Sequence, residues 1–506
     1  MQNSILPILI FSPLVMALFI LNPLYKNEDK RLHKSVRIFS LLHFIYTVVL
    51  FVFFDFTNTG TEYETVIKIF NSDWINTLGI KAGFNVDILS MIMIILTAFI
   101  FLISIFLSQE TVKKNYQLYF SLILILESAI LGIFCASDMF FFLFFWEMEL
   151  IPLYILLLKW GSSNKQKTAA KFILYTFFGS IFILLGFLIV YLYNFINTGY
   201  LCADFCNIDI SAMNEKLKYI TFLFLFIGFG VKIPVVPFHS WLPDAHSQAV
   251  TPVSIILSSV MLKTGAYGIL KFNAEMFNDT FIKFLPVIML IAMINILYAS
   301  CCAIVQKDLK RIIAYSGIIH MGVFLIAISS YNATGFSGGI FQLVSHALIS
   351  AGLFIIAGII YIKCGTKNIL RLSGLGEKMP VFMFLAIPVI LAAVSVPLTS
   401  GFVSEFLCFM GAFLAEPNEF YNVKAIVIIA LISMILSSIY ILKFFHGIFF
   451  SKILEKYKKI KDINIYQKTM LIILSLYIIY FGIFPGTILD VLSEYSIITF
   501  NLEGVF

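Results

Sequence analysis

Apolar runs separated by short polar connections follow one another along the whole chain. A run such as SILPILIFSPLVMALFIL (4–21) is long enough to cross the roughly 30 Å of membrane hydrocarbon as one helix. The pattern predicts an all-α membrane protein with about 14 transmembrane helices. The runs lie at residues 3–22, 35–56, 86–108, 115–135, 138–158, 168–194, 217–238, 246–272, 281–305, 311–330, 336–363, 380–414, 421–449 and 466–492.

The charges of the connections alternate along the chain. Odd-numbered connections are basic, as in KNEDKRLHKSVR (26–37), except the seventh, which holds PFHSWLPDAH (237–246). Even-numbered connections are acidic or neutral, with Asp138 in the fourth and Asp204 in the sixth. Because Lys and Arg accumulate on the negative-potential side of a membrane, we expect an even number of helices with both termini on the acidic side.

Two of the spans contain breaks. Pro234 and Pro237 interrupt the seventh span directly after Lys232, and Pro397 interrupts the twelfth span, five spans later. In some transporters, broken helices at matching positions of two inverted repeats mark the ion site. Prolines are also common in ordinary membrane helices, so the breaks alone leave a duplication and a coincidence open.

A duplication of this kind would divide the chain into four segments. They are an N-terminal three-helix segment (1–108), a first five-helix repeat (115–272), a second and inverted repeat (281–449), and a C-terminal loop with the last transmembrane helix (450–506).

The composition and the motifs limit the classes of function that this chain can have. Hydrophobic residues make up 60% of the chain and charged residues 12%, against roughly 25% charged in soluble domains, so no soluble domain is expected. The N-terminal run lacks a basic flank and a cleavage site, and we interpret it as a retained helix. There is no Walker loop, no GxGxxG after a strand and no cysteine cluster for a haem or iron–sulfur centre. We therefore expect a chain that carries protons or ions, with no cofactor, no metal and no nucleic acid partner.

Six ionisable residues fall deep inside predicted spans. Each costs about 2.5–3.5 kcal/mol to insert and therefore needs a partner, a cavity or a function. A buried lysine exchanges its proton according to the distance of the nearest carboxylate, so a pair of Glu147 and Lys232 would act as a proton switch. Buried histidines also serve in helix packing, and the lysines would be structural if they only neutralised acids. The six are Glu147, Lys232, Lys263, His320, His346 and Glu405.

Four further residues form a second tier of candidates. Glu149 lies two positions after Glu147, about 200° round the helix, so the two carboxylates cannot share a face. Glu127 is a buried acid that either serves the proton path or supports a helix or subunit contact. Asp138 marks the start of the fifth span, and His239 is expected to shape the seventh connection, since its spacing from His246 suits metal binding poorly.

Five segments of the chain resemble one family, the antiporter-like membrane subunits of NADH:ubiquinone oxidoreductase (respiratory complex I), and fit its subunit-4 branch best. Ser404, where the family usually has glycine, Val250 and the extra Glu149 depart from the family pattern. The segments are ASDMFFFLFFWEMELIPLYILLLKWG (136–161), VKIPVVPFHSWLPDAHSQAVTPVSIILSSVMLKTGAYG (231–268), QKDLKRIIAYSGIIHMG (306–322), QLVSHALISAGLF (342–354) and SVPLTSGFVSEF (395–406).

The resemblance implies a function and a set of roles. Glu147 and Lys232 would be the ion pair of the fifth and seventh spans, and Lys263 the central lysine. His320 and His346 would connect that lysine to the terminal acid, Glu405. The subunit would couple electron transfer from NADH to ubiquinone to proton pumping.

The resemblance also implies partners and a location. FMN, iron–sulfur clusters and ubiquinone would be held by other subunits, and the neighbours would be membrane subunits, especially the antiporter-like subunits 2 and 5, and lipids. The Phe-, Ile- and Lys-rich composition favours the mitochondrial inner membrane, with a bacterial plasma membrane as the alternative. A multisubunit Na⁺(K⁺)/H⁺ antiporter would use the same buried groups, and a purely structural scaffold is a third hypothesis.

Overall fold

The structure is a computed structural model that describes residues 5–22, 29–53, 67–415, 422–500 and 502. Nineteen α-helices are found in these residues: α1 (Ile5–Ile20), α2 (Asp29–Val52), α3 (Ile88–Thr111), α4 (Tyr116–Cys135), α5 (Met139–Met148), α6 (Leu150–Trp160), α7 (Lys165–Thr198), α8 (Glu215–Lys232), α9 (Trp241–Gln248), α10 (Thr251–Ile256), α11 (Leu262–Gly268), α12 (Asn278–Ile304), α13 (Leu309–Ile328), α14 (Ala333–Cys364), α15 (Pro380–Ala393), α16 (Ser400–Leu414), α17 (Val423–Phe449), α18 (Ile465–Ile483) and α19 (Gly486–Phe500).

Each of the fourteen predicted spans coincides with one of these helices or with a pair of them. Eleven of the helical segments in the described residues are long and apolar enough to cross a membrane by themselves. The remaining three spans are the short first helix and the two broken spans. The prediction of an all-α, multi-pass membrane protein is therefore confirmed, while positions 3–4, 54–56 and 421 of the predicted spans lie outside the described residues.

Both predicted breaks are present. The seventh span stops at Lys232, the last residue of α8, and the next helix, α9, begins at Trp241, within the stretch predicted as the seventh connection. The twelfth span stops at Ala393 in α15 and resumes at Ser400 in α16. Proline lacks an amide hydrogen and pushes the preceding residue away from helical geometry, which explains why the helices end here.

Three further interruptions were not predicted. The fifth span is divided at Glu149, between α5 and α6. The eighth span contains two π-helical segments, Leu257–Met261 and Ile269–Met276, on either side of α11. The last predicted span, 466–492, is divided as well, because Pro485 follows a non-helical Phe484 and α19 begins only after it.

A β-hairpin occupies part of the second connection, which the hydrophobic pattern assigns to a loop. Strand β1 (Ile67–Ile75) pairs antiparallel with β2 (Ile80–Val86), with Ile67 opposite Val86 and Ile75 opposite Ile80. The turn between the strands ends at Gly79, whose φ of +60° is a left-handed conformation that glycine adopts without strain. The hairpin leads directly into Asp87, the N-cap of α3.

The chain forms two compact units. Unit 1 comprises Met1–Ile233 and Val260–Phe281, and unit 2 comprises Pro234–Ser259 and Ile282–Phe506. The core of unit 1 contains a cluster of aromatic rings around Phe272, whose centroid lies 4.8 Å from that of Phe205 and 4.9 Å from that of Phe187. The core of unit 2 is centred on α14, which is buried along nearly its whole length. The four-segment division predicted from the sequence stays a prediction.

Candidate functional site

Unit 1 contains a buried ion pair at the end of a helix. The ammonium group of Lys232 donates a hydrogen bond to Oε1 of Glu149, and the two side chains are 2% and 0% exposed. Lys232 is the last residue of α8, where the free carbonyl groups of the helix end favour a cation. Its Nζ also lies 4.6 Å from the centre of the Trp146 ring, which adds a cation–π attraction.

The structure gives Lys232 a different partner from the one predicted, Glu149 instead of Glu147. The reason is geometric: α5 ends at Met148, so Glu149 stands at the junction of two helices and its carboxylate is turned inward. Glu147, two positions earlier, is half-buried. Glu147 and Glu149 are separated by about 200° around a helix, so only one of the two carboxylates faces Lys232. This separation gave no basis for choosing between them.

Lys263 is completely buried in α11, and its helix approaches Lys232 closely. A Cβ atom added to Gly265 would lie 2.9 Å from the Cβ of Lys232 and 3.0 Å from the carbonyl oxygen of Phe229. Only glycine fits this contact, so Gly265 brings the helix that carries Lys263 against the end of α8. The ion pair and the second lysine therefore belong to one buried group of unit 1.

Unit 2 contains a second buried group, centred on His320. Its Nδ1 atom lies 3.2 Å from Oε1 of Glu405 and 3.1 Å from Nε2 of Gln342. The ring of His346 is 5.1 Å from that of His320, centre to centre. All four side chains are buried. The structure thus brings together the three residues of unit 2 that the sequence analysis selected, and adds Gln342.

This arrangement can hold a proton in more than one place. Nδ1 of His320 faces the Glu405 carboxylate and, when it carries no proton, accepts a hydrogen bond from the Gln342 amide. Gln342 was missed by the sequence analysis, although its spacing of four residues from His346 places both on one face of α14.

Glu127 of the second tier also has a buried partner. His43 Nδ1 lies 3.3 Å from Oε1 of Glu127, and His43 Nε2 is 3.0 Å from the carbonyl oxygen of Leu9. Glu127 and His43 are 1% and 4% exposed. The sequence analysis did not anticipate His43, although it lies inside the second predicted span.

Asp138 is placed where it supports the start of α5. Its carboxylate accepts hydrogen bonds from the backbone N–H groups of Phe140, Phe141 and Lys81, at 2.9, 3.2 and 3.0 Å. Burial nevertheless raises the pKa of this carboxyl above its usual range. These contacts are those of an N-cap residue.

His239 lies in the break between α8 and α9, and its ring packs edge-on against Tyr298, 4.8 Å away. Within the described residues, no group of three or more His, Cys, Asp and Glu side chains is arranged to hold a metal ion.

Comparison with known proteins gives one consistent family. Residues 136–433 match the model of the family described as "NADH:quinone oxidoreductase/Mrp antiporter, TM". The chain is 37% identical over 502 residues to the NADH-quinone oxidoreductase subunit M of Rickettsia typhi, covering 97% of each protein. It is also 37% identical over 474 residues to the NAD(P)H-quinone oxidoreductase chain 4 of Prochlorococcus marinus, covering 91% of this chain and 87% of that one.

Solved structures show the same fold. A chain of the respiratory complex I from Thermus thermophilus with bound NADH matches with a TM-score of 0.85, 25% identity and full coverage of both chains. A chain of the Mrp complex from Dietzia sp. also matches with a TM-score of 0.85, over 99% of this chain and 98% of that one, but at 18% identity this likeness concerns the fold alone. The chain therefore belongs to the NADH:quinone oxidoreductase/Mrp antiporter family, among the antiporter-like membrane subunits of the complex I type.

Proposed function

We propose that this antiporter-like subunit moves protons across the membrane through the two buried groups of titratable side chains, one in each compact unit. The group of unit 1 is formed by Glu149, Lys232 and Lys263. The observation that supports the proposal most directly is the Lys232–Glu149 ion pair, because both charges are fully removed from solvent at the point where a span is broken.

The ion pair has the properties of a switch. A lysine deep in the membrane keeps its proton only while a negative charge stays close to it. Moving Glu149 away from Lys232 would leave the ammonium group buried and unpaired, a state that favours release of its proton. Lys263, on the closely packed α11, is the proposed next carrier.

The group of unit 2 provides two imidazoles and a carboxylate as proton carriers. His320, His346 and Glu405 form the later part of the proposed path, and their mutual contacts in unit 2 support a shared role. Gln342 is proposed as the residue that orients the His320 ring when Nδ1 carries no proton.

Glu147 keeps its proposed place in the path, on the strength of the motif resemblance. The contact with Lys232 favours Glu149 as the counter-ion in the state that the structure describes. A change of partner between these two carboxylates, which lie on either side of the end of α5, would be one way to alter the charge next to Lys232.

Electron transfer takes place elsewhere in the complex in this proposal. Other subunits hold the flavin, the iron–sulfur clusters and the quinone, and quinone reduction acts on this chain electrostatically through neighbouring membrane subunits. We propose the antiporter-like subunits 2 and 5 as those neighbours. The composition supports a mitochondrial inner membrane, and the Rickettsia and Prochlorococcus relatives support a bacterial membrane equally well.

The test is the proton yield of assembled complexes. Lys263→Ala and Glu405→Gln complexes, reconstituted into vesicles, are expected to oxidise NADH while pumping fewer protons per NADH than the unmodified complex. A normal yield in both would overturn the proposal.

The two other hypotheses make different predictions. The similarity to the Mrp complex fold supports a cation/proton antiporter as the second candidate, and sodium-dependent proton flux without any NADH oxidation would favour it. A structural scaffold predicts that substitutions at Lys232 or Lys263 change only the amount of assembled complex.

A further inference from the structure

A cavity of about 430 Å³ opens into unit 1 where its even-numbered connections meet. A water molecule occupies about 30 Å³ of liquid volume, so the cavity has room for several. Its walls include residues from the second, fourth, sixth and eighth connections: Asn85, Asp87, Ser137, Asp209, Ser211 and Asp279. None of the residues proposed above for proton transfer lines this cavity.

An ammonium group between two carboxylates forms one wall of the cavity. Lys271 makes ion pairs with Asp87 and with Glu275, the latter at 2.7 Å. Burial alone would raise the pKa of Asp87, but the Lys271 ammonium and hydrogen bonds from Ser90 outweigh burial and hold the pKa below its usual range. Asp87 therefore stays ionised at neutral pH.

Tyr267 lies between this wall and Lys263. Within α11, Lys263 and Tyr267 are four residues apart, so their side chains lie on the same face of the helix, with Cβ atoms about 5–6 Å apart. Lys271 follows four residues later, and both Tyr267 and Lys271 line the cavity. Tyr267, the neighbour of Lys263 on its helix face, thus reaches the cavity.

A hydroxyl pair completes the connection. The Tyr267 hydroxyl lies 2.9 Å from Oγ of Ser90, and Ser90 is another residue of the cavity wall. Both groups are able to donate and accept a hydrogen bond, which is what a proton relay requires. Apolar side chains of the same size in place of Tyr267 and Ser90 would fill the same space but could not form this hydrogen-bonded pair.

We propose that Tyr267 and Ser90 connect Lys263 to this cavity, which gives unit 1 its own proton access route to the side of the even-numbered connections. This inference rests on the proposed role of Lys263. The Tyr267 oxygen accepts the proton that leaves Lys263 Nζ while the Tyr267 hydroxyl passes its own proton to Ser90, and Ser90 passes one to solvent in the cavity. Each hydroxyl ends neutral, and the lysine has lost one proton.

The Asp87–Lys271–Glu275 cluster assists this route as a set of positioning residues. Two carboxylates and one ammonium group leave a net negative charge beside the cavity when all three are ionised. A negative wall raises the local concentration of protons and other cations.

The first test compares two matched tyrosines in vesicles that contain the whole complex. Tyr119 is also buried and also pairs with a serine of α3, Ser108, at 3.0 Å, but it lies outside the cavity. Tyr267→Phe is expected to pump fewer protons per NADH, whereas Tyr119→Phe pumps normally. An unchanged yield in Tyr267→Phe, or an equal loss in both variants, would overturn the route.

The second test measures access to the cavity directly. Ser90→Cys is expected to react with a membrane-impermeant thiosulfonate applied from the side of the even-numbered connections, as followed by mass spectrometry of the whole complex. Ser104→Cys, on the same helix but outside the cavity wall, is the control and is expected to stay unmodified. Equal labelling of the two variants would exclude an open route.

The outcomes also separate this inference from the proposed function. Normal pumping by Lys263→Ala would refute the proposed function itself. Lost pumping by Lys263→Ala, together with normal pumping by Tyr267→Phe, would refute only the access route.

Discussion

The partner of Lys232 is the most consequential contact in the structure, and Glu149→Gln tests it. The substitution removes the negative charge but keeps the size and shape of the side chain. Lys232 would then remain buried beside a neutral amide. The matched comparison is Glu147→Gln, which makes the same chemical change two residues away at a half-buried position.

The expected magnitude follows from burial. Glu149 and Lys232 are 0% and 2% exposed, so solvent cannot replace the lost charge. Removing one partner of a buried ion pair costs about 3–5 kcal/mol. At about 1.4 kcal/mol for each factor of ten, this cost corresponds to roughly two to four orders of magnitude in the population of the arrangement that buries Lys232 at this helix end. The Trp146 ring is present in both proteins, so its attraction for the ammonium group offers no compensation.

The assay is NADH-driven proton pumping by the complex in sealed vesicles, read from a pH-sensitive dye and divided by the NADH oxidised. We expect Glu149→Gln to lower this ratio more than Glu147→Gln does. Blue-native electrophoresis of the same membranes checks that both variants assemble. A loss confined to Glu147→Gln, with full pumping by assembled Glu149→Gln, would refute the argument.

Three further substitutions test other parts of the structure. Gly265→Ala places a Cβ 2.9 Å from that of Lys232, so it should force α11 from α8, cost about 1–3 kcal/mol and reduce the assembled complex on a native gel. Asp138→Ala should cost about 0.5–2 kcal/mol as a lost helix cap and lower the thermal denaturation temperature of the complex, with Asp138→Asn retaining most of it. Gln342→Leu removes a buried hydrogen bond to His320, which costs about 1–3 kcal/mol, and should lower the proton yield without lowering assembly; unchanged pumping would exclude Gln342 from the path.

The spans could be predicted from the sequence because the membrane imposes a simple requirement. Every backbone polar group inside hydrocarbon must be paired within its own helix, so a long apolar run has one stable conformation. The two proline breaks, at Lys232 and near Pro397, could also be predicted, because proline removes a backbone N–H group and its ring disturbs the helix locally. The β-hairpin was not predicted, because it lies in a polar connection where no such requirement holds and where pairing depends on a second strand.

The candidate site could likewise be predicted from the sequence only in part. The cost of a charge at membrane depth is a property of the residue and its position, and this allowed Lys263, His320 and Glu405 to be selected from the sequence alone. The pairing of Lys232 with Glu149 depends on where α5 ends and how α8 packs beside it, and two carboxylates in one short segment satisfy the sequence pattern equally well. The residues were therefore determined by the sequence, while their partners were decided by helix ends and side-chain directions, which arise only when the helices pack.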